Sequence, residues 1–222
     1  MTLRVQDLRI PCESETVIEN ISFTVDEGEC VVINTSVLLL GTCLLQALAG
    51  MIRGIAGNVV FQESDMADTL PSKELSKLRE QIGFVYRHGG LISLLNVTDN
   101  IALPLAYHYN ISRKELAGNI NRIATLLGIN ELLELAPDDL NVAQTRLVNL
   151  ARALISRPRL LLIDAILDGI SLNYKQVVID AIHSCQTEER FALVMTTRQH
   201  QFSELATKAY ELTERGLEQS TL

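Results

Sequence analysis

Three features of the sequence predict an α/β fold built on a parallel sheet covered on both faces. First, Cys30–Ile33, Leu160–Asp164 and Phe191–Thr196 are short, almost wholly apolar runs. Strands that lack polar alternation have neither face in water, as in parallel sheets flanked by helices. Second, segments with helical spacing lie between those runs, the pattern of alternating strands and helices. Third, Leu3–Ile10 and Asn20–Val25 alternate apolar and polar residues, as half-exposed strands do.

The elements follow in order. Asp26-Glu-Gly-Glu29 is a polar turn into Cys30–Ile33. A helix is expected from about Thr42 to Gly50, with the glycine as its stop. Gly57–Phe61 is a short strand. Pro71-Ser72 opens a helix over Lys73–Gln81, and the strand Ile82–Val85 comes next. From His88 to about Ser156 the chain turns mainly helical. Ser112-Arg-Lys-Glu115 has the spacing of a capping box. Behind it Leu116, Ile120, Ile123 and Leu127 give that helix one buried face, and Gly128 ends it. A second helix, about Val142 to Ser156, is halted by Arg157-Pro158. The strand Leu160–Asp164 is followed by a helix around Tyr174–Gln186 and the strand Phe191–Thr196. A short helix near Phe202–Thr207 and a strand at Tyr210–Leu212 close the pattern.

Composition excludes several functions. The net charge of −8 leaves no Lys/Arg stripe to neutralise phosphates, and aromatics are scarce with Trp absent, so nucleic acid is not an expected partner. Cys12, Cys30, Cys43 and Cys185 lie far apart, which suits reduced, mostly buried thiols and neither a disulfide set nor a zinc site. The histidines lack metal-ligand spacing, and no metal site is expected. No signal peptide precedes the first strand. Cys30 to Ile52 carries no charged residue and could span a bilayer by length. Asn34, Thr35, Ser36, Gly41, Thr42 and Gln46 interrupt it, and a buried strand followed by a helix is the better reading.

Five stretches then point to a family. They are Asn20-Ile-Ser-Phe-Thr-Val-Asp-Glu-Gly-Glu29, Leu44-Leu-Gln-Ala-Leu-Ala-Gly50, Ile82-Gly-Phe-Val-Tyr-Arg-His-Gly-Gly-Leu91, Asn96-Val-Thr-Asp-Asn-Ile-Ala-Leu-Pro104 and Leu150-Ala-Arg-Ala-Leu154. In this order and spacing they resemble the ATP-binding subunits of ABC transporters over essentially the whole chain. Within that family the sequence looks most like the small bacterial subunits of Mla-type lipid transport systems. The resemblance implies an ABC-type ATPase domain over 1–222, with a RecA-like parallel-sheet core, an N-terminal antiparallel β subdomain and an inserted helical subdomain at about 88–156.

It also implies where ATP chemistry should sit, and there the residues depart. The phosphate-loop pattern G-x-x-x-x-G-K-S/T falls on Thr35–Thr42: its glycines become Thr35 and Leu40, its lysine becomes Gly41, and only Thr42 fits. Glycines there let the backbone aim N–H groups at phosphate, and the lysine neutralises charge. The signature Leu-Ser-Gly-Gly-Gln falls on Leu140-Asn-Val-Ala-Gln144, where branched Val142 would crowd a γ-phosphate. Asp164 is kept on the metal side, but the water-polarising glutamate is Ala165. Arg87 stands for the family's glutamine and Arg198 for its histidine; His200, a displaced alternative, falls at the next helix start. No aromatic lies in Leu8–Thr16 to stack adenine.

The expectation is therefore a pseudo-ATPase with no catalytic residues, no metal and no bound ATP or magnesium, with Thr42 and Asp164 as remnant positions. In the bland alternative, Thr42 caps a helix and Asp164 is a strand-end carboxylate with hydrogen-bond partners. Arg87 and Arg198 would pair with Asp164 or Asp168. Val37–Leu40 would fold into the cleft that phosphates fill elsewhere. The family resemblance implies a peripheral subunit at the inner face of the cell membrane, holding a permease's coupling helix in a groove. His88, Gly89, Gly90, Leu91 and Asn100 are the candidate interface. The chain would dimerise with itself or with a paralogous ATP-binding subunit. A regulatory subunit that binds ATP without hydrolysing it, and an active ATPase with relocated motifs, are the competing readings.

Overall fold

A computed structural model describes residues 2–12, 16–66, 71–198 and 205–221. Two sheets organise the chain. The first pairs β1 (Leu3–Pro11) with β2 (Val17–Val25) and with β4 (Ala56–Phe61), all antiparallel, and β4 with the short β5 (Ser64–Asp65). The second has six strands in the order β10-β9-β3-β8-β7-β6. Its parallel part is β3 (Cys30–Asn34), β6 (Ile82–Val85), β7 (Leu160–Asp164), β8 (Ala192–Thr197) and β9 (Lys208–Thr213). β10 (Gly216–Ser220) returns antiparallel along β9 and was not anticipated from the sequence.

The continuous apolar runs have the expected cause. Successive residues of β3 and β7 feed two separate cores: Cys30, Val32, Leu161 and Ile163 pack on the helical side. Val31, Ile33, Leu160 and Leu162 pack towards the antiparallel sheet. Period-2 geometry sends neighbours to opposite faces, and here both faces are dry. The mixed α/β architecture of parallel core, antiparallel sheet and helical segment is present as expected.

The helices are α1 (Leu38–Leu48), α2 (Ser72–Arg79), α3 (Val97–His108), α4 (Arg113–Leu127), α5 (Val142–Ile155) and α6 (Leu172–Glu189). Helices α3 to α5 lie between β6 and β7 in the chain and pack on one another around Ile101, Ile123, Val148 and Ala151. Ser112 caps α4 by accepting from the Glu115 amide, and Gly128 closes it in a left-handed conformation. Both match the sequence signals. The charge-free segment Cys30–Ile52 folds as β3 plus α1, and among the described residues no helix is long and apolar enough to cross a membrane.

One boundary at the site differs. α1 begins at Leu38, four residues before the expected Thr42. Leucines are good helix formers and extend the helix N-terminally although no side chain caps it at Val37. His200 and the start of the helix expected near Phe202–Thr207 lie outside the described residues.

One glycine fixes how closely β1 and β4 approach. Gly57 sits at φ +85° opposite a bulge in β1, and a Cβ there would run into the Asp7 carbonyl. Gly57→Ala should lower stability by about 1–3 kcal/mol from backbone strain alone, with the overlap added. Chemical denaturation measures it; an unchanged midpoint would show that the strands can separate freely.

Candidate functional site

Strands β3, β8, β7 and β6 end together, and in open α/β sheets ligands bind at these carboxyl ends. The register fixes the neighbours: Asn34 lies beside Thr197, Asp164 beside Thr196, and Val85 beside Ile163. The residues just past these strands therefore share one edge.

On the β3 side, the Thr35 amide donates to the Thr197 carbonyl at 2.9 Å and the chain turns into α1. Gly41 then packs against threonine methyls. A Cβ at this position would lie 3.1 Å from Thr196 Cβ and Cγ2, and 3.3 Å from Thr35 Cγ2. Any side chain at 41, a lysine included, must displace them. The stretch 35–42 supplies no cation.

Thr42 lies within α1, on its second turn, and is not the helix cap. Its Oγ1 donates to the Asp164 carboxylate at 2.8 Å and to the Leu38 carbonyl at 3.1 Å. Asp164 is almost fully buried. Burial pushes its carboxyl above the usual carboxylate range, opposed by the Thr42 hydroxyl, the Arg87 charge, the Thr196 hydroxyl and the His88 charge. Since the folded-state value is raised, ionising Asp164 costs stability as pH rises through it. A hydroxyl and a carboxylate side by side are hard oxygen donors, the chemistry that suits magnesium.

The next carboxylate, Asp168, accepts from the Thr197 hydroxyl at 2.8 Å and from the Arg198 amide at 3.1 Å, with the Arg198 guanidinium at 3.4 Å. Arg198 thus pairs with Asp168. Between the two carboxylates Ala165 is fully buried and holds φ +47°, a left-handed conformation uncommon for alanine.

Arg146 of α5 ties this edge together. Its buried guanidinium donates to the carbonyls of Arg87 (3.3 Å), Ile166 (2.9 Å) and Asp168 (2.5 Å). Burial pulls its pKa below the ordinary value, Asp168 opposes this and Arg87 adds to it. Sequence reading passed over Arg146, although its spacing from Leu150 and Leu154 places it on the inward face of α5. The segment Asn141–Gln144 also gains a structural role. The Asn141 side chain accepts from the Gln144 amide at 3.0 Å, and the Gln144 side chain accepts from the Asn141 amide at 2.9 Å, a capping box that starts α5.

The apolar tetrad does not enter the cleft as a block, which corrects that expectation. Leu40 is 1% exposed, whereas Val37 is 44% and Leu39 37% exposed. The cause is helical geometry. Leu38–Leu40 form the first turn of α1, where 100° per residue lets only Leu40 join Leu44 in the core.

Among the candidate interface residues, His88, Gly89 and Gly90 are exposed and Leu91 is half-buried. The Gly89 carbonyl is held by the Asn149 side chain at 2.7 Å. Asn100 is fully buried, so its placement on a contact surface is corrected. Its amide nitrogen donates to the carbonyls of Ile92, Leu95 and Asn96, and its oxygen accepts from the Ile92 amide. It shapes the loop from within. That loop presents Ile92 and the almost fully exposed Leu94, which the sequence reading did not single out.

A mostly parallel sheet whose strand β3 runs into a helix, with a helix hydroxyl set against the aspartate at the end of β7, defines an open α/β protein with its ligand edge at the strand ends. Residues 18–167 match the ABC transporter family model, and the chain belongs to that family. The methionine import ATP-binding protein MetN of Campylobacter jejuni is 26% identical over 212 residues, covering 89% of this chain and 63% of the relative. MetN of Mesorhizobium japonicum is 33% identical over 162 residues, 73% of this chain and 44% of the relative. The chain thus spans only about half the length of the curated relatives it matches. In fold, an ATP-binding cassette solved as a dimer in a post-hydrolysis state with ADP and Pi superposes with a TM-score of 0.88 at 21% identity, over 99% of this chain and 98% of that one.

These relatives overturn the expectation that no ATP or magnesium is bound. The curated relatives are ATP-binding proteins by name, and the solved cassette holds ADP and Pi. Nucleotide is therefore the candidate ligand. The unusual residues at 35–42 bear on how it is held.

The tetrad geometry is directly testable. Leu40→Ala should cost about 2–5 kcal/mol, the range for a buried leucine, and Leu39→Ala about 0.5 kcal/mol or less. Equal melting shifts for the two variants would contradict the helical assignment.

Proposed function

We propose that this chain is a non-catalytic ATP-binding-type subunit of an ABC transporter. It takes nucleotide at the shared strand edge, does not turn it over, and docks on a membrane permease. The observation that carries this reading is Ala165: the position after Asp164 offers a buried methyl where phosphoryl transfer to water needs a group to orient the nucleophile. The two carboxylates nearby do not replace it. Asp164 is engaged by Thr42 and Thr196, and Asp168 by Thr197 and Arg198.

The remaining residues suit a held nucleotide. Thr42 and Asp164 are the pair that would face magnesium, which would screen phosphate charge there. No side chain caps α1, so the amides of Leu38 and Leu39 at its N-terminus are available to an anion, whereas those of Val37 and Leu40 are bonded within the turn. Asn141 and Val142 stand where the family carries its signature serine and glycine, and Val142 is 60% exposed at the start of α5.

For the permease contact, exposed His88, Gly89 and Gly90 with the neighbouring Leu91, Ile92 and Leu94 form the docking surface of this reading. It places the subunit at the inner face of the membrane, paired with itself or with a paralogous subunit. The cargo of this reading is lipid, supported by the Mla-type resemblance of Ile82–Leu91 and Asn96–Pro104. The curated relatives are methionine importers by name and supply the competing cargo.

Steady-state phosphate release tests the central statement. The purified protein and Ala165→Glu should both remain at background, because groups that act as a unit are non-additive and Gly41 and Arg198 stay as they are. Clear turnover by the parent would establish the active-ATPase reading instead.

A further inference from the structure

Family membership makes nucleotide the candidate ligand, yet 35–42 carries no Lys or Arg to meet its phosphates. A charge-assisted donor is the strongest contact a side chain can offer phosphate, and 35–42 has none to add to the α1 amides. Three arginines stand elsewhere on the edge, and Arg146 is consumed by the carbonyls of Arg87, Ile166 and Asp168. Arg198 is engaged with Asp168. Arg87 is different: among the described residues, its Nε and Nη1 are buried and have no hydrogen-bond partner.

A guanidinium with two buried, unpartnered nitrogens is costly to keep, about 1–3 kcal/mol or more for an unmet donor. Natural structures seldom leave such groups unmet without a reason. Its backbone is not free to relieve this. The Arg87 carbonyl is fixed by Arg146 Nε at 3.3 Å, and β6 is fixed by its register with β7, Val85 beside Ile163. These constraints hold Arg87 two residues past the strand end, close enough to Asp164 for its charge to act on that carboxyl. No ion pair within 4.0 Å joins the two among the described residues. The unpartnered donors therefore belong to the segment just past β6, whose neighbouring strand β7 ends in Asp164, and no ion pair among the described residues uses them.

We propose that Arg87 is the phosphate-binding cation of this chain, supplying from the β6 end the charge that the β3–α1 turn lacks. Its ligand is the terminal phosphate pair of a nucleoside triphosphate, or pyrophosphate of the same chemistry. A planar guanidinium offers two parallel N–H groups to phosphate oxygens, a geometry a lysine cannot reproduce. The proposal rests on the reading that this chain takes nucleotide. It stands apart from the question of turnover, which phosphate release decides.

Calorimetry with ATP, pyrophosphate and adenosine, all in the same magnesium buffer, tests it on the parent, Arg87→Gln, Arg87→Lys and the remote charge control Arg113→Gln. Arg87→Gln should weaken ATP and pyrophosphate about tenfold or more, the loss expected of one charge-assisted contact. Adenosine affinity should not change, Arg87→Lys should recover part of the loss, and Arg113→Gln should match the parent. Melting of each variant checks folding. If Arg87 only balances Asp164, Arg87→Gln will lower the melting temperature and leave ATP and pyrophosphate affinity unchanged, and the proposal fails. It fails equally if the parent binds neither ATP nor pyrophosphate.

Discussion

The buried guanidinium of Arg146 is the interaction on which the rest of the site depends. It reaches from α5 across the ends of β6 and β7 and donates to the carbonyls of Arg87, Ile166 and Asp168. Strand ends are where backbone hydrogen bonding runs out, and buried carbonyls left there must find donors. One arginine supplies three of them. Because a guanidinium is planar, satisfying all three also fixes their relative orientation. Asp168 is thereby placed to accept from Thr197 and Arg198, which joins the end of β8 to the same unit.

A fixed edge explains both the retained and the changed features of the site. The Thr42–Asp164 contact persists at 2.8 Å, so the oxygen pair keeps its place beside the sheet. Gly41 lies against the side chains of Thr35 and Thr196, which would have to give by a few tenths of an ångström to admit a side chain there. Ala165 fills its pocket fully, where a carboxylate would need desolvation. No side chain of 35–42 carries positive charge, and Arg87 past the β6 end keeps two buried nitrogens without a partner among the described residues. Family membership makes nucleotide the candidate ligand, and 35–42, Ala165 and Arg87 are the residues that bear on how it would be held.

The parallel core was legible because burial on both faces leaves an unmistakable mark: β3, β7 and β8 are apolar until their carboxyl ends, where Asn34, Asp164, Thr196 and Thr197 are buried. Ser112 and Gly128 were legible because capping and left-handed termination each demand particular residues. The start of α1 was not, since Val37 caps nothing and the leucines carry no start signal. Treating Val37–Leu40 as one apolar block ignored the helical period, which buries only Leu40 among the exposed Val37 and Leu39. Asn100 was misplaced because polarity was read as exposure, whereas its side chain satisfies four backbone groups inside the loop. The sharpest misreading concerned the cofactor. Missing contact residues lower affinity for a ligand without by themselves excluding it, and relatives that are ATP-binding proteins by name make nucleotide the candidate.

The measurement that tests this account most directly is amide hydrogen exchange, with equilibrium unfolding, on Arg146→Leu. The substitution keeps the bulk of the inward face of α5 and removes every donor to the three carbonyls. Stability should fall by about 3–5 kcal/mol, the cost of breaking a buried charged network. Protection should be lost first at 86–90 and 165–169, ahead of the β3 and β8 interior. A stability loss of about 0.5 kcal/mol or less, with protection at those segments unchanged, would contradict the account. The strand ends would then be held without Arg146, and neither Asp168 nor Arg87 would owe its place to it.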